Sequence, residues 1–276
     1  MRSIAMNDAD KQKPSRTRRR RFLPVFAVLP LLLLLFACFA RYDGYTFPEW
    51  WRDAHSGVVR WRADAAPSQA ASEVKQVALT FDDGPDPRYT PRVLDTLRHY
   101  NIQATFFVEG RFMRAHPDLA RRIIAEGHVL GNHTDTHPYL DRQSADVVRA
   151  EIDGCDRTLQ TTLHLRTFLF RPPRGQWNPT IYREVRKRGD HLILWTVALE
   201  HHDAPTPPEM AARALRLVRP GGIILLHDGG SAPRDATVAA LPLLLDGLRT
   251  RGYRCVTVPE LLHIPGNTAI TTKTTK

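Results

Sequence analysis

The stretch Gln76-Val77-Ala78-Leu79-Thr80-Phe81-Asp82-Asp83-Gly84-Pro85 is a short apolar run that ends in two adjacent carboxylates, just where Gly-Pro forces a turn. Its length and composition are those of a buried strand. Successive side chains of a strand point to opposite faces, so Asp82 and Asp83 can serve one site only if the turn re-aims them. One could then hold a metal while the other moves protons. Taken alone, the same residues equally describe a solvated Asp-Asp-Gly turn.

The pattern repeats along the chain. Residues 76–81, 104–108, 128–132, 168–171, 191–197, 222–226 and 253–256 read as seven strands, with helix-like segments between them. Thr90-Pro91 and Asn178-Pro179 have the form of an N-cap followed by proline, and Thr206-Pro207-Pro208-Glu209 that of a capping box. Strand then helix, repeated, predicts α/β architecture with a parallel sheet. Seven repeats give a distorted (β/α)7 TIM-like barrel, one unit short of the usual eight, and barrel enzymes build their sites at the carboxyl ends of the strands.

About fifty residues after the first motif comes Gly131-Asn132-His133-Thr134-Asp135-Thr136-His137-Pro138. One helical turn would set two histidines four apart on a single face. Pro138 disfavours helix at His137, so the expectation is a single turn at a strand end. Two imidazoles and a carboxylate make the three-ligand set of open catalytic zinc sites, whereas two loop histidines alone are ordinarily solvated.

Four ordered motifs carry a resemblance: Thr80 to Pro85, His133 to His137, Arg171-Pro172-Pro173-Arg174-Gly175, and Leu225-Leu226-His227-Asp228. Residues 75–262 resemble the NodB-homology polysaccharide deacetylases, carbohydrate esterase family four. The resemblance implies that Asp83, His133 and His137 bind a divalent metal, zinc or else cobalt or nickel. It implies further that Asp82 is the general base, that Arg171 orients it, that His227 protonates the departing amine, and that Leu225 lines the acetyl-methyl pocket. Arg174 stands where the family commonly has a tyrosine whose backbone N–H helps hold the oxyanion. One departure is marked: Ala198 occupies the place of an acidic residue that supports the catalytic Arg and His. Glu200, Asp203 and Asp228 are the candidates to replace it.

The ends of the chain read differently. The net charge is +10 over 276 residues, and residues 1–21 hold eight Lys and Arg against Asp8 and Asp10. The charge is therefore an N-terminal block rather than a basic face, which argues against a nucleic-acid partner. Residues 22–40 are free of charge, long enough to cross a bilayer as a helix, and the basic block is expected on the cytoplasmic side. This predicts a single-pass anchor in a bacterial-type cytoplasmic membrane with an extracytoplasmic catalytic domain, secretion after signal cleavage being the alternative. Residues 41–74 read as a juxtamembrane segment and linker, and 263–276 as a disordered tail. Cys155 and Cys255 could pair or remain thiols.

The leading expectation is a metal-dependent hydrolase that deacetylates N-acetylated sugars of an extracytoplasmic polysaccharide, peptidoglycan or lipid-linked glycan. Two other readings stand beside it: a catalytically silent metal- or glycan-binding module, motivated by Ala198, and a hydrolase of another amide or O-acetyl ester.

Overall fold

The structure is a computed structural model that describes the backbone of Val59–Arg60 and residues 74–270. The expected basic segment and membrane span lie outside these residues. Among the described residues no helix is long and apolar enough to cross a membrane.

In chain order the elements are β1 (Val59–Arg60), β2 (Lys75–Gly84), α1 (Thr90–His99), β3 (Thr105–Val108), α2 (Gly110–Ala115), α3 (Pro117–Ala125), β4 (Val129–Asn132) and α4 (Ala145–Leu163). There follow β5 (Leu165–Arg166), β6 (Leu169–Phe170), α5 (Pro179–Lys187), β7 (His191–Ile193), β8 (Val197–Ala198), α6 (Pro207–Leu217), β9 (Gly222–His227), α7 (Asp235–Thr250), β10 (Tyr253–Val256), α8 (Val258–Leu262) and β11 (Thr268–Ala269). The main sheet is parallel and curled, in the order β1-β7-β6-β4-β3-β2-β9-β8, with β10 also on β2. This matches a distorted (β/α)7 barrel.

Alternation divides the core. Val77, Leu79 and Phe81 of β2 and Ile224 and Leu226 of β9 pack with α1, α6 and α7 residues such as Leu94, Ala214 and Leu244. Ala78 and Ile223 belong to a second cluster with Phe107, Leu169 and Ile193 inside the curl. Thr80 and Asp82 share the face of Ala78 by the period of two, as Leu225 and His227 share that of Ile223. The register pairs Thr80 with Leu225 and Asp82 with His227.

The fifth expected strand is two. Its first part, β7, pairs with β6, and its second, β8, pairs with β9. The chain changes neighbours at Leu194-Trp195-Thr196, so one straight ladder cannot run through it. Arg171 donates to the carbonyls of Ile193 (3.1 Å) and Leu194 (3.2 Å), and Thr196 to that of Ile223, at this change of partner.

Asn178 caps α5 through Ile181 N–H, and Thr206-Glu209 forms the capping box of α6, as the sequence predicts. Thr90 does not cap α1. Tyr89 holds that position, while the Thr90 hydroxyl accepts from Asp86 N–H and donates to buried Asp228 (2.6 Å).

The expected disordered tail is instead built into the fold as far as residue 270. The Asn267 side chain reproduces a strand neighbour, accepting from Leu130 N–H and donating to Leu130 C=O at 2.7 Å each. β11 then pairs antiparallel with β5. Within the expected linker, β1 adds to β7. Cys155 and Cys255 are both free thiols.

Candidate active site

Asp82 and Asp83 end the longest strand and reach one site through a defect in it. The register of β2 against β3 shifts between Asp82 and Gly84, and Asp83 adopts a left-handed backbone with φ 68°. This bulge undoes the alternation, so both carboxylates meet His133. Gly84 has no room for a side chain, since a Cβ there would stand 2.5 Å from the Asp228 carboxylate.

The two histidines reach the site without a helix. The segment after β4 is irregular, and Thr134 (φ 72°) and His137 (φ 60°) are left-handed. The expected helical turn is therefore replaced by a strained loop, pinned where His137 N–H donates to the Thr134 hydroxyl and Thr134 N–H to the Asn132 side chain. A left-handed β-branched residue is unusual, and such strain concentrates at functional sites. The imidazole centroids lie 5.1 Å apart.

Asp83, His133 and His137 form a cluster that could hold a metal ion. Asp83 Oδ1 lies 3.4 Å from the Nε2 of each histidine and, though buried, has no hydrogen-bond partner. His133 Nδ1 contacts the Arg171 carbonyl at 2.7 Å. A carbonyl only accepts, so Nδ1 carries the hydrogen when the ring is neutral and Nε2 presents its lone pair to Asp83. Burial would raise the pKa of Asp83, but His133, His227 and His137 hold it well below the usual carboxylate range. Burial together with the charge of His133 pushes His137 down to about 4, leaving a neutral imidazole suited to ligation. For His133, burial acts downward and is outweighed by Asp82 and Asp83, so its pKa is raised. A carboxylate field that retains a proton there would also retain a cation, and the donor set fits a divalent metal.

Arg171, fully buried, lies behind Asp82. Its guanidinium donates to Asp82 Oδ1 (2.7 Å), Thr80 Oγ1 (2.8 Å) and the two β7-end carbonyls, and lies 4.0 Å from the Phe107 ring centroid. Across β2 and β9, His227 faces Asp82 by register.

Of the three candidates for the missing acid, only Glu200 reaches His227. Glu200 Oε1 accepts from His227 N–H (3.1 Å) and the Thr237 hydroxyl (2.7 Å). Its Oε2 lies 3.2 Å from His227 Nδ1, close enough for an ion pair though misaligned for a hydrogen bond. Burial acts to raise Glu200, and His227 holds it low. Asp203 pairs instead with half-buried His201 and exposed His202, and Asp228 is turned to Thr90, with burial pushing it up to about 7. Ala198 packs in β8, its carbonyl accepting from Arg213.

Leu225 is buried on the inward face between the levels of Ile223 and His227. Arg174 (φ 59°) sits in the turn Pro173–Gly175 that follows Arg171, with its side chain over Tyr139. Sequence reasoning missed Thr80, Thr237 and Arg234, whose Nη2 lies 3.5 Å from Asp83 Oδ2. Thr80 had a signal, a hydroxyl on the inward face of an apolar strand. Thr237 and Arg234 had none, because the approach of α7 to β2 and β9 is tertiary.

Known proteins resemble this chain in sequence and in fold. Residues 69–192 match the family model described as polysaccharide deacetylase. A peptidoglycan-N-acetylglucosamine deacetylase of Bacillus cereus is 37% identical over 210 residues, spanning 75% of this chain and 94% of the relative. A chitooligosaccharide deacetylase of Bradyrhizobium is 35% identical over 206 residues, with 69% and 92% covered. A crystal structure of a peptidoglycan N-acetylglucosamine deacetylase superposes with a TM-score of 0.71 at 30% identity, covering 77% of this chain and 96% of that one.

The Glu200–His227 contact makes a titration prediction. Burial acts to lower His227, but Glu200, with Asp82 behind it, raises it above its ordinary value of 6.5, so imidazolium persists above that value and is lost as pH rises through the folded pKa. Glu200→Gln leaves burial unopposed by that carboxylate. The His227 midpoint, read by NMR of the ring, is then expected to fall, and an unchanged midpoint contradicts the pairing.

Proposed function

The chain belongs to the polysaccharide deacetylase family, carbohydrate esterase family four, and from that membership we propose that it removes acetyl groups from N-acetylated sugars of a glycan outside the cytoplasm. It is a hydrolase of N-acetylated sugars. The observation that carries the assignment of roles is the register pair Asp82–His227, which sets a carboxylate and an imidazole on one inward face beside the Asp83, His133 and His137 cluster.

In this reading Asp82 takes the proton of the attacking water, steered by the guanidinium that holds its Oδ1. His227, kept protonated toward neutral pH by Glu200, gives a proton to the departing nitrogen. Leu225 walls the methyl of the acetyl group, and the backbone N–H of Arg174 faces its oxygen. A divalent metal held by Asp83, His133 and His137 supplies, when bound, polarisation of the carbonyl and acidification of water. Zinc suits one carboxylate and two imidazoles, and cobalt or nickel suit them also. Glu200 beside His227 supports an active enzyme over a silent binding module, since the acid missing at Ala198 is supplied from two residues on.

Residues 75–262 are the catalytic domain in this account, and 22–40 an uncleaved single-pass anchor that leaves it on the periplasmic or cell-wall side. A reporter fused after Lys276 should be active outside the cytoplasm, and activity confined to the cytoplasm contradicts the topology.

The reaction is tested by released acetate. N-acetylated oligosaccharides are expected to yield acetate, chelation to abolish the yield and added divalent metal to restore it. Acetate from O-acetylated glycans alone, or full turnover by protein proved metal-free, overturns the proposal.

A further inference from the structure

Resting on the deacetylase reading, we propose that Arg174, presented on Tyr139 together with Arg142, binds a carboxylate of the glycan beside the reacting acetamido group. The substrate class is thereby an anionic N-acetylated glycan rather than a neutral one. Arg174 is anchored in the turn directly after Arg171, and its backbone is fixed in the left-handed region at φ 59°. Its side chain is fixed too. Nη1 donates to the carbonyls of Pro138 (3.2 Å) and His137 (3.5 Å), and the guanidinium carbon lies 3.9 Å from the Tyr139 ring centroid. Arg174 is thus clamped onto the loop that carries His137.

Arg142 lies over the same ring at 4.8 Å. No carboxylate among the described residues pairs with Arg174. Among the described residues Arg142 pairs only with Asp141, 3.9 Å away, and is itself 69% exposed. Two guanidinium groups are therefore gathered on one tyrosine at the rim of the metal cluster with little compensating charge. A neutral hydroxyl gains little from them, whereas a carboxylate accepts the planar fork of a guanidinium in two parallel hydrogen bonds. Because the Arg174 side chain is held by its carbonyl bonds and ring contact, little freedom is lost on binding.

The test uses the full-length protein with its metal and reads acetate release as kcat/KM. The substrates are an N-acetylglucosamine oligomer bearing lactyl ether carboxylates on the acetamido sugars, the same oligomer with each carboxylate capped as an amide, and an oligomer alternating N-acetyl sugar with uronic acid beside its amide. Acid is expected to be preferred over amide by about tenfold or more, the worth of a charge-assisted hydrogen bond. Arg174→Gln should bring that ratio toward one, Arg174→Lys should keep part of it, and added salt should shrink it in the wild type. If Arg174→Gln loses its fold or metal, Arg142→Gln and the salt series read the same ratio. Preference for the lactyl acid places the carboxylate on the reacting sugar, and preference for the uronic acid places it on the neighbour. A wild-type ratio near one, or a ratio unmoved by Arg174→Gln, overturns the proposal. Acetate from none of the glycans contradicts the deacetylase reading itself and removes the premise.

Discussion

The guanidinium of Arg171 is the constraint on which the rest of the structure depends. It is fully buried, and it takes the carbonyls of Ile193 and Leu194 where the sheet passes from the β6 side to the β9 side. The same group donates to Thr80 and Asp82, while the Arg171 carbonyl meets His133. Closure of the curl, aim of the base and tautomer of a metal ligand thus share one residue. Removing either partner of a buried ion pair costs about 3–5 kcal/mol, because the other charge is left without compensation. A change of the Arg171 side chain therefore cannot be local: the seam carbonyls and the base both lose a partner.

Around that anchor the site is assembled by two kinds of backbone geometry. Regular parallel pairing aligns Asp82 with His227 across β2 and β9. Irregular geometry supplies the rest, since Asp83, Thr134, His137 and Arg174 all have positive φ. A strict alternation would send Asp83 away from Asp82, and the bulge brings it back to His133. Strain of this kind persists only where surrounding structure over-determines it, here through the buried Arg171, the Thr134 hydroxyl and the carboxylate contacts.

The strands and their order of motifs were legible in the sequence because apolar runs with period-two faces and proline-marked helix starts are local signals. The convergence of Asp82, Asp83, His133, His137, Arg171 and His227 followed from topology, which places strand ends on one face. What the sequence did not reveal is tertiary. The break of the fifth strand depends on which neighbour each half meets. Thr90 has the local form of a cap but is claimed by Asp228, just past the end of β9 and 138 residues away. The tail lacks a periodic pattern because a single side chain, Asn267, supplies its hold on β4. Glu200 was one candidate of three, and only the distance to His227 separates it from Asp203 and Asp228. Glu200 reaches His227 from beyond β8.

The central claim is that adjacent carboxylates at one strand end have separate work: Asp82, tied to Arg171, moves a proton, and Asp83, tied to the histidines, holds the metal. Asp82→Asn, measured for metal content and turnover on the same preparation, tests it most directly. The account predicts full metal occupancy with turnover reduced by about 10² to 10⁴, the usual worth of a general base. Wild-type turnover, or loss of the metal, contradicts it.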